Sequence, residues 1–292
     1  MLKDITLGQF FPGDTVAHRL DPRTKILLVV LYIVALFCAK SLLAYGILAA
    51  VLAVCVRISR VGIKSLVRGL KPVVFIIVFT GILNLFFTPG EHILAELGFL
   101  RISAEGLQNA VFMVLRIMLL IMGTFLMTYT TSPISLTDGL ERLLGGLKKI
   151  HVPVHELAMI MSIALRFIPT LIEETDKIMK AQMARGADFE SGNLLLRVKN
   201  MIPLLVPLFV SAFRRADDLA MAMEARCYNG GEGRTKMKPL RYAGVDHKAY
   251  VLVIGYFVVI LLCRFFLPFP VTVNFGTDVS TVAVVVPVPL VV

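Results

Sequence analysis

The feature that most constrains this chain is a series of long apolar runs separated by short charged segments. Residues 26–38 are almost wholly apolar, and residues 42–56 follow after only three intervening residues. Further apolar runs cover residues 72–88, 107–129 and 250–266. Because a helix needs about 20 apolar residues to cross a bilayer, these runs predict five membrane-spanning helices, of which the first two are short and form a tight hairpin. Apolar residues make up 57% of the chain, which exceeds the roughly 45–50% of soluble domains.

Positive charge orients the predicted spans, because loops on the cytoplasmic side of a membrane carry an excess of lysine and arginine. The segment before the first span has four such residues, the loop at residues 57–71 has five and no acid, and residues 132–248 have 17. The opposite side has only Lys40, Arg101 and Arg264. We therefore predict a cytoplasmic N-terminus and an external C-terminus. The net charge of +10 is interpreted as a topology signal and not as nucleic-acid binding.

The predicted fold class is all-α, a polytopic membrane protein with about five spans and long cytoplasmic amphipathic helices. Residues 1–131 contain four spans, and residues 132–248 form a cytoplasmic region with no convincing spanning segment. Residues 249–267 contain the last span. Residues 268–292 carry four prolines and are interpreted as a tail that is disordered or foreign to the fold, because this spacing does not suit a helix.

Local signals mark the ends of several helices. Asp21 followed by Pro22 predicts the start of the first spanning helix, since aspartate is a good N-cap and proline suits the first helical position. In the cytoplasmic region the pattern predicts a short helix at about 135–150 and long helices at about 155–185 and 194–227. Glycines that follow the two long helices are predicted to end them. They are Gly186 for the first helix and Gly230, Gly231 and Gly233 for the second.

The two long cytoplasmic helices both end on an arginine between small residues. The triplets are Ala184, Arg185 and Gly186, and Ala225, Arg226 and Cys227. A helix dipole favours one arginine in a last turn by a few tenths of a kcal/mol, but it does not explain a matched pair. Small neighbours leave the guanidinium free to enter a pocket on another protein. If the helices run antiparallel, the ends lie about 45 Å apart, so two similar sockets are needed, as on a dimer.

Methionines recur along the same cytoplasmic helices. They are Met159, Met161, Met179, Met183, Met201, Met221 and Met223. One interpretation is an ordinary packed core. The other is an adaptable surface for changing partners, because thioether side chains repack easily.

Several kinds of chemistry are missing from the sequence. It has no G-x-x-x-x-G-K-[ST] loop for phosphate, and no acid lies between Asp21 and Glu91, where an ion-coupled carrier would need one. His151 and His155 are interpreted as a solvated helix start and not as a metal site. Arg116 lies inside the fourth span, either as a counter-ion for a substrate or as a packed polar contact. An enzyme is disfavoured, and the main alternative for this chain is a self-contained secondary carrier or channel.

Four stretches of the chain resemble the transmembrane T component of energy-coupling factor (ECF) vitamin transporters, the family that includes the cobalt-transport permease Q protein. The resemblance covers about residues 10–267. The stretches are "HRLDPRTK" (18–25), "TTSPISLTDGLERLL" (130–144), "ALRFIPTLIEETDKIMKAQMARGADFE" (164–190) and "PLFVSAFRRADDLAMAMEARCYNGGEGR" (207–234).

The resemblance implies a multi-pass subunit of a bacterial cell membrane that catalyses no reaction. In the family, an x-Arg-x triplet ends each of two coupling helices and docks into a groove of one of two ABC-type ATPases. This assigns ATPase docking to Ala184, Arg185 and Gly186, and to Ala225, Arg226 and Cys227. The family often has glycine where Cys227 stands, which leaves open whether this helix end is tightly capped.

The resemblance also implies the remaining partners. A separate membrane-embedded S component binds the vitamin and rests on the apolar surface of the coupling helices. ATP and Mg²⁺ are bound by the ATPases, so this chain is expected to bind no cofactor, no metal and no nucleic acid. The methionines assigned to S-component contact are Met159, Met161, Met179, Met183, Met221 and Met223.

Overall fold

The computed structural model of the protein describes residues 10–88, 93–97, 100–187, 189, 194–231, 237 and 240–266. The tail predicted at residues 268–292 lies outside the described residues, as does Gly233. Apart from one short β-hairpin, the regular structure of the described residues is helical, as the all-α prediction requires. The antiparallel strands β1 and β2 form this hairpin, which the sequence did not predict.

The helices and strands follow one another in a simple order. They are α1 (Val16–Arg19), α2 (Pro22–Cys38), α3 (Leu42–Ser59), α4 (Ile63–Leu70), α5 (Val74–Phe87), β1 (Ile93–Leu97), β2 (Leu100–Ser103), α6 (Ala104–Thr130), α7 (Pro133–Leu143), a 3₁₀ helix (Leu144–Ile150), α8 (Val154–Ala184), α9 (Leu194–Glu224) and α10 (Gly244–Phe266). The two long helices predicted at about 155–185 and 194–227 are thus confirmed as α8 and α9, with ends within about three residues of the expected ones.

Four described helices are long and apolar enough to cross a membrane. They are Leu42–Ser59, Gly106–Thr130, Val154–Ala184 and Gly244–Phe265. A fifth crossing exists if α4 and α5, which meet at 62°, form one broken span. The second, fourth and fifth predicted spans are therefore confirmed. The first, α2, has 17 residues and extends about 26 Å, so it is short for a bilayer core of about 30 Å, as the sequence indicated.

Helix α8 has a property that the sequence analysis did not recognise. Residues 132–248 were expected to hold no convincing spanning segment, and α8 meets the same criteria of length and composition as the spans. Its charged residues lie mainly beyond Pro169, so the first half is more apolar than the helix as a whole. Only 6% of that apolar window is buried inside the protein, and α8 therefore presents a largely uncovered apolar surface.

The start of α2 ties three helices together. Asp21 caps α2 as predicted, because its Oδ1 accepts a hydrogen bond from the Arg23 backbone N–H at 2.9 Å. The backbone N–H of Asp21 in turn donates to Oδ1 of Asp246 at 2.9 Å, near the start of α10. The Lys25 ammonium donates to the Thr130 carbonyl at the end of α6, at 2.8 Å. These buried polar groups satisfy one another, which fixes the ends of α2, α6 and α10 relative to each other.

The core of the bundle is apolar and closely packed. Leu36, Leu48 and Ile260 bring fully buried side chains from α2, α3 and α10. Helix α6 approaches α2 closely at Gly123, where a Cβ atom would lie 2.6 Å from Cε1 of Tyr32. A side chain at position 123 would therefore have to displace a buried ring.

Helix α7 connects the bundle to α8. At Gly139, a Cβ atom would lie 2.9 Å from the Pro22 Cβ, so α7 packs directly on the first turn of α2. Farther along α7, Oε1 of Glu141 lies 3.1 Å from Nδ1 of His155 at the start of α8. The start of α8 is therefore attached, through α7, to the membrane-spanning helices.

Candidate functional site

The helices α8 and α9 run antiparallel along their described lengths. Near the end of α8, the Gln182 side-chain amide donates to the Pro203 carbonyl of α9 at 3.5 Å. Farther back, Nη2 of Arg215 donates to Oε2 of Glu174 at 2.7 Å. Beyond the end of α9, the backbone at Gly231 packs against the imidazole of His155 near the start of α8. The end of α8 therefore lies beside the first third of α9, and the start of α8 lies beside the chain that follows α9.

The end of α8 is a glycine-capped turn. Gly186 has φ of +89°, a left-handed conformation that glycine adopts without steric cost. Its N–H donates to the Met183 carbonyl at 2.9 Å, and the Ala187 N–H donates to the Gln182 carbonyl at 3.0 Å. These two bonds form a Schellman motif and place Arg185 at the C-cap. The predicted role of Gly186 as the residue that ends α8 is confirmed.

The end of α9 repeats this geometry without glycine. The Cys227 N–H donates to the Glu224 carbonyl at 2.8 Å, and the Tyr228 N–H donates to the Met223 carbonyl at 3.0 Å. Cys227 has φ of 55°, so it adopts the left-handed conformation that glycine has at the end of α8. The turn is complete before Gly230 and Gly231, which were wrongly expected to end this helix. The helix end is tightly capped even though Cys227 stands where the end of α8 has glycine.

The two triplets are equivalent in shape and far apart. Arg185 and Arg226 each stand one residue before the left-handed position, and every residue of both triplets is exposed. Among the described residues, neither guanidinium makes a hydrogen bond or an ion pair. The contacts of Gln182 with Pro203 and of His155 with Gly231 place Arg226 opposite about residue 160 of α8, so the two ends lie about 38 Å apart along the helix pair. The structure therefore does not bring the triplets together but presents them at opposite ends of one helix pair.

An apolar surface covers much of the outer side of the same helix pair. On α9 it consists of side chains that are each at least 44% exposed: Met201, Ile202, Leu205, Val206, Phe209, Val210 and Phe213. Leu157, Ile160 and Met161 of α8 are exposed to a similar degree. Apart from Met201, the sequence analysis did not identify these residues of α9, although their spacing of three and four residues is the signal of one helix face. An exposed surface of ten apolar side chains marks a contact with another protein or with the membrane.

The six methionines assigned to S-component contact divide into two groups. Met161, Met183 and Met221 are 46%, 49% and 61% exposed, so their thioethers are available to a partner. Met159, Met179 and Met223 are only partly exposed. Exposure is therefore compatible with the adaptable surface for three of these six methionines.

The other polar residues that the sequence analysis considered as sites are Arg116, His151 and His155, and two of these make contacts that hold helices together. Arg116 is 4% exposed, and its Nε donates to the Tyr45 hydroxyl at 2.9 Å. His155 is not solvated as expected but pairs with Glu141 of α7, whereas His151 is exposed. Within the described ranges, no group of three or more His, Cys, Asp or Glu residues could hold a metal ion.

Comparison with known proteins places this architecture in a family. Residues 13–237 match the family model CbiQ, described as cobalt transport protein. A protein of Thermosediminibacter oceani is 56% identical over 250 residues, which are 86% of this chain and 94% of the relative. One of Acidaminococcus fermentans is 53% identical over 92% of this chain and 100% of its own length. One of Bacillus subtilis is 50% identical over 87% and 96%, respectively.

All three relatives carry the name energy-coupling factor transporter transmembrane protein EcfT. The family match includes both arginine triplets and every helix from α2 to α9. Together with the membrane-spanning helices, these matches confirm the resemblance seen in the sequence. The chain therefore belongs to the CbiQ family, as a multi-pass transmembrane component of an energy-coupling factor transporter.

Proposed function

We propose that this chain is the energy-coupling subunit of an ECF-type importer. It receives the ATP-driven motion of two ABC-type ATPases and passes it to a membrane-embedded S component that binds a vitamin or micronutrient. The observation that carries the proposal is the pair of matched, arginine-bearing helix ends at opposite ends of α8 and α9. ATP and Mg²⁺ belong to the ATPases, in keeping with the lack of a phosphate-binding loop in this chain.

The chemistry of the helix ends suits docking into an acidic or carbonyl-lined groove. A guanidinium can form two parallel hydrogen bonds to a carboxylate, and the flanking Ala184 and Ala225 leave space around it. The Schellman turns hold the backbone of both triplets, so less conformational freedom is lost on binding. A separation of about 38 Å suits two sockets on two ATPases better than one socket on a single chain.

The apolar surface of α8 and α9 is the proposed seat of the S component. Met161 belongs to this surface, and Met183 and Met221 are the other exposed methionines assigned to S-component contact. Phe209 and Phe213 of α9 add larger side chains, 61% and 68% exposed. Flexible thioethers beside aromatic rings form a surface that can repack against different partners.

Charge decides how α8 lies relative to the bilayer. If α8 crossed the membrane once, residues 185–248 would be external and would carry 11 of the chain's 30 lysines and arginines to the wrong side. We infer that α8 and α9 lie along the cytoplasmic interface, with their apolar surface towards the acyl chains or the S component. The N-terminus is then cytoplasmic, as the loop charges predict.

The rival function, a self-contained carrier or channel, requires polar groups that line a path through the spans. The interior charge of α6, Arg116, packs instead against α3 through Tyr45. Asp246 at the start of α10 accepts hydrogen bonds from the backbone N–H groups of Asp21 and Ala243. Both charged groups therefore serve helix packing in the described spans, and neither supports the rival function.

The experiment is a charge reversal at both helix ends. The double variant Arg185→Glu/Arg226→Glu should lose the ATPases on purification and lose vitamin uptake in proteoliposomes, while the spans still insert. An arginine central to an interface contributes about 2–4 kcal/mol, whereas an exposed arginine held only by the helix dipole contributes less than about 1 kcal/mol.

The matched control is Arg166→Glu/Arg214→Glu, which makes the same charge change at exposed positions of the same two helices. This control should keep both ATPases. Normal uptake with a full complement of ATPases in the Arg185→Glu/Arg226→Glu variant would show that the triplets do not dock. Equal loss of ATPases from both double variants would show that overall charge, and not the triplets, retains them.

A further inference from the structure

An apolar groove lies on the membrane-facing side of the bundle, away from α8 and α9. It has a volume of about 750 Å³ and is formed by α3, the start of α4 and α6. Its floor consists of the buried side chains Leu52, Val56, Leu66 and Leu119. Its rim includes the exposed residue Ala53. The volume is in the range of about 300–1,000 Å³ that small-molecule sites occupy.

The length of the groove corresponds to one leaflet of a bilayer. Along α3 its lining extends from Ala49 to Arg60, and 11 residues of helix rise about 16 Å. Half of a hydrocarbon core of about 30 Å is about 15 Å. Since α3 begins at Leu42, Ala49 lies near the middle of this span, so the groove extends from the bilayer centre to one membrane surface.

Two arginines stand at the surface end of the groove. Arg57 lies in the last turn of α3 and Arg60 is its C-cap, and both side chains are exposed and line the groove. Among the described residues that line it, none is acidic, and neither arginine side chain makes an ion pair with a described residue. Lys64 and Arg68 follow on α4 and increase the positive potential there.

We propose that this groove binds one anionic glycerophospholipid. An acyl chain lies along the apolar floor, and the phosphate accepts hydrogen bonds from the guanidinium groups of Arg57 and Arg60. Under the proposed topology this end of α3 faces the cytoplasmic leaflet, whose anionic lipids attract basic segments beside a span. A groove that is apolar for the depth of one leaflet and cationic only at its mouth matches a lipid in both polarity and length.

The experiment measures which lipid the full-length chain retains. The chain is reconstituted in nanodiscs with equal amounts of phosphatidylglycerol and phosphatidylcholine, and retained lipids are counted by native mass spectrometry. The wild-type chain should keep one phosphatidylglycerol in preference to phosphatidylcholine. The variant Arg57→Gln/Arg60→Gln should reduce this preference by more than about 10-fold, because the loss of a charge-assisted hydrogen bond to the phosphate costs about 10-fold or more in affinity.

Two controls separate a site from general attraction. Lys64→Gln/Arg68→Gln removes two charges from the adjoining helix α4 without altering the groove lining. This variant should change the preference for phosphatidylglycerol less than about twofold. Ala53→Trp fills the groove with every charge kept and should abolish retention, whereas Ala50→Trp, at an exposed position of α3 outside the groove, should not.

Each alternative occupant predicts a different result. Equal loss of phosphatidylglycerol in both charge variants, or its full retention in Ala53→Trp, would overturn the proposal. The general positive charge at this end of α3 and α4 would then account for lipid retention. Displacement of the lipid by soluble glycerol 3-phosphate would also overturn it, because the arginines would then bind a phosphate without an acyl chain. If Ala53→Trp does not fold, Val54→Trp fills the same groove from its exposed rim and the arginine variants remain decisive.

Discussion

The left-handed conformation of Cys227 should cost stability that glycine would restore. Cys227 has φ of 55°, whereas its counterpart at the end of α8, Gly186, has φ of 89°. A left-handed conformation costs an L-residue about 1–2 kcal/mol, and glycine in its place adds about 0.4–1 kcal/mol of unfolded-state entropy that opposes folding. Cys227→Gly should therefore stabilise the last turn of α9 by about 1 kcal/mol, which corresponds to about fivefold slower local opening.

Hydrogen–deuterium exchange of the full chain in nanodiscs measures this effect at the amides that form the turn. The Cys227→Gly variant should exchange about fivefold more slowly at positions 227 and 228, whose N–H groups bond to the carbonyls of Glu224 and Met223. Gly186→Ala should have the opposite effect at the end of α8. Cys227→Ala removes the thiol but keeps the strained φ, so it should match the wild type. If Cys227→Gly is no more protected than Cys227→Ala, the backbone strain does not limit this turn.

Two further changes test the packing of the bundle and the apolar surface. Gly123→Ala should destabilise the protein by about 1–3 kcal/mol through a clash with a buried tyrosine ring, seen as a lower thermal midpoint, whereas Gly255→Ala, which has open space around it, should not. Met161→Asp/Met221→Asp should release the S component in co-purification and leave the ATPases bound, because a charge in an apolar interface is strongly disfavoured. Loss of both partners together would instead indicate misfolding.

Local chemistry made several features of the fold predictable from the sequence. The start of α2 followed from Asp21 and Pro22, and the end of α8 followed from Gly186, because each signal acts within a few residues of the chain. The spans followed from the length of the apolar runs, since a helix needs about 20 apolar residues to cross the bilayer core. The two arginine triplets could also be recognised, because each is a short contiguous stretch at the end of a helix.

The remaining features depend on contacts that are distant in sequence or on local residues whose signal was misleading. The ion pair between Glu174 and Arg215 joins α8 to α9, but neither residue carries a signal that names its partner. The left-handed turn at Cys227 was missed because glycine is the usual signal for it, and three glycines nearby gave a misleading one. The 62° bend between α4 and α5 lies at Pro72, which the sequence placed at the start of a single straight span.

The surroundings of the two triplets predict that Arg185 and Arg226 transmit motion to the membrane-spanning helices unequally. This difference is expected even if the two ATPases are identical. The chain beyond Arg226 packs on His155, which pairs with Glu141 of α7, and α7 packs on the first turn of α2. The end with Arg185 is joined, among the described residues, to α9 by the contact of Gln182 with Pro203. A push at Arg226 therefore reaches the membrane-spanning helices through a short series of packed contacts, whereas a push at Arg185 must first pass along α8 or α9.

Under the proposed function, single charge reversals should separate docking from transmission. Because both arginines are exposed and occupy the same position of a Schellman turn, Arg185→Glu and Arg226→Glu should each weaken ATPase retention by a similar amount, about 2–4 kcal/mol. Uptake per ATP hydrolysed should fall further in Arg226→Glu, since that variant loses the direct connection to α7. The measurement is vitamin uptake and ATP hydrolysis in the same proteoliposomes for each single variant. Equal ratios of uptake to hydrolysis would mean that α8 and α9 move as one rigid body, and that the contact between His155 and Glu141 carries no coupling of its own.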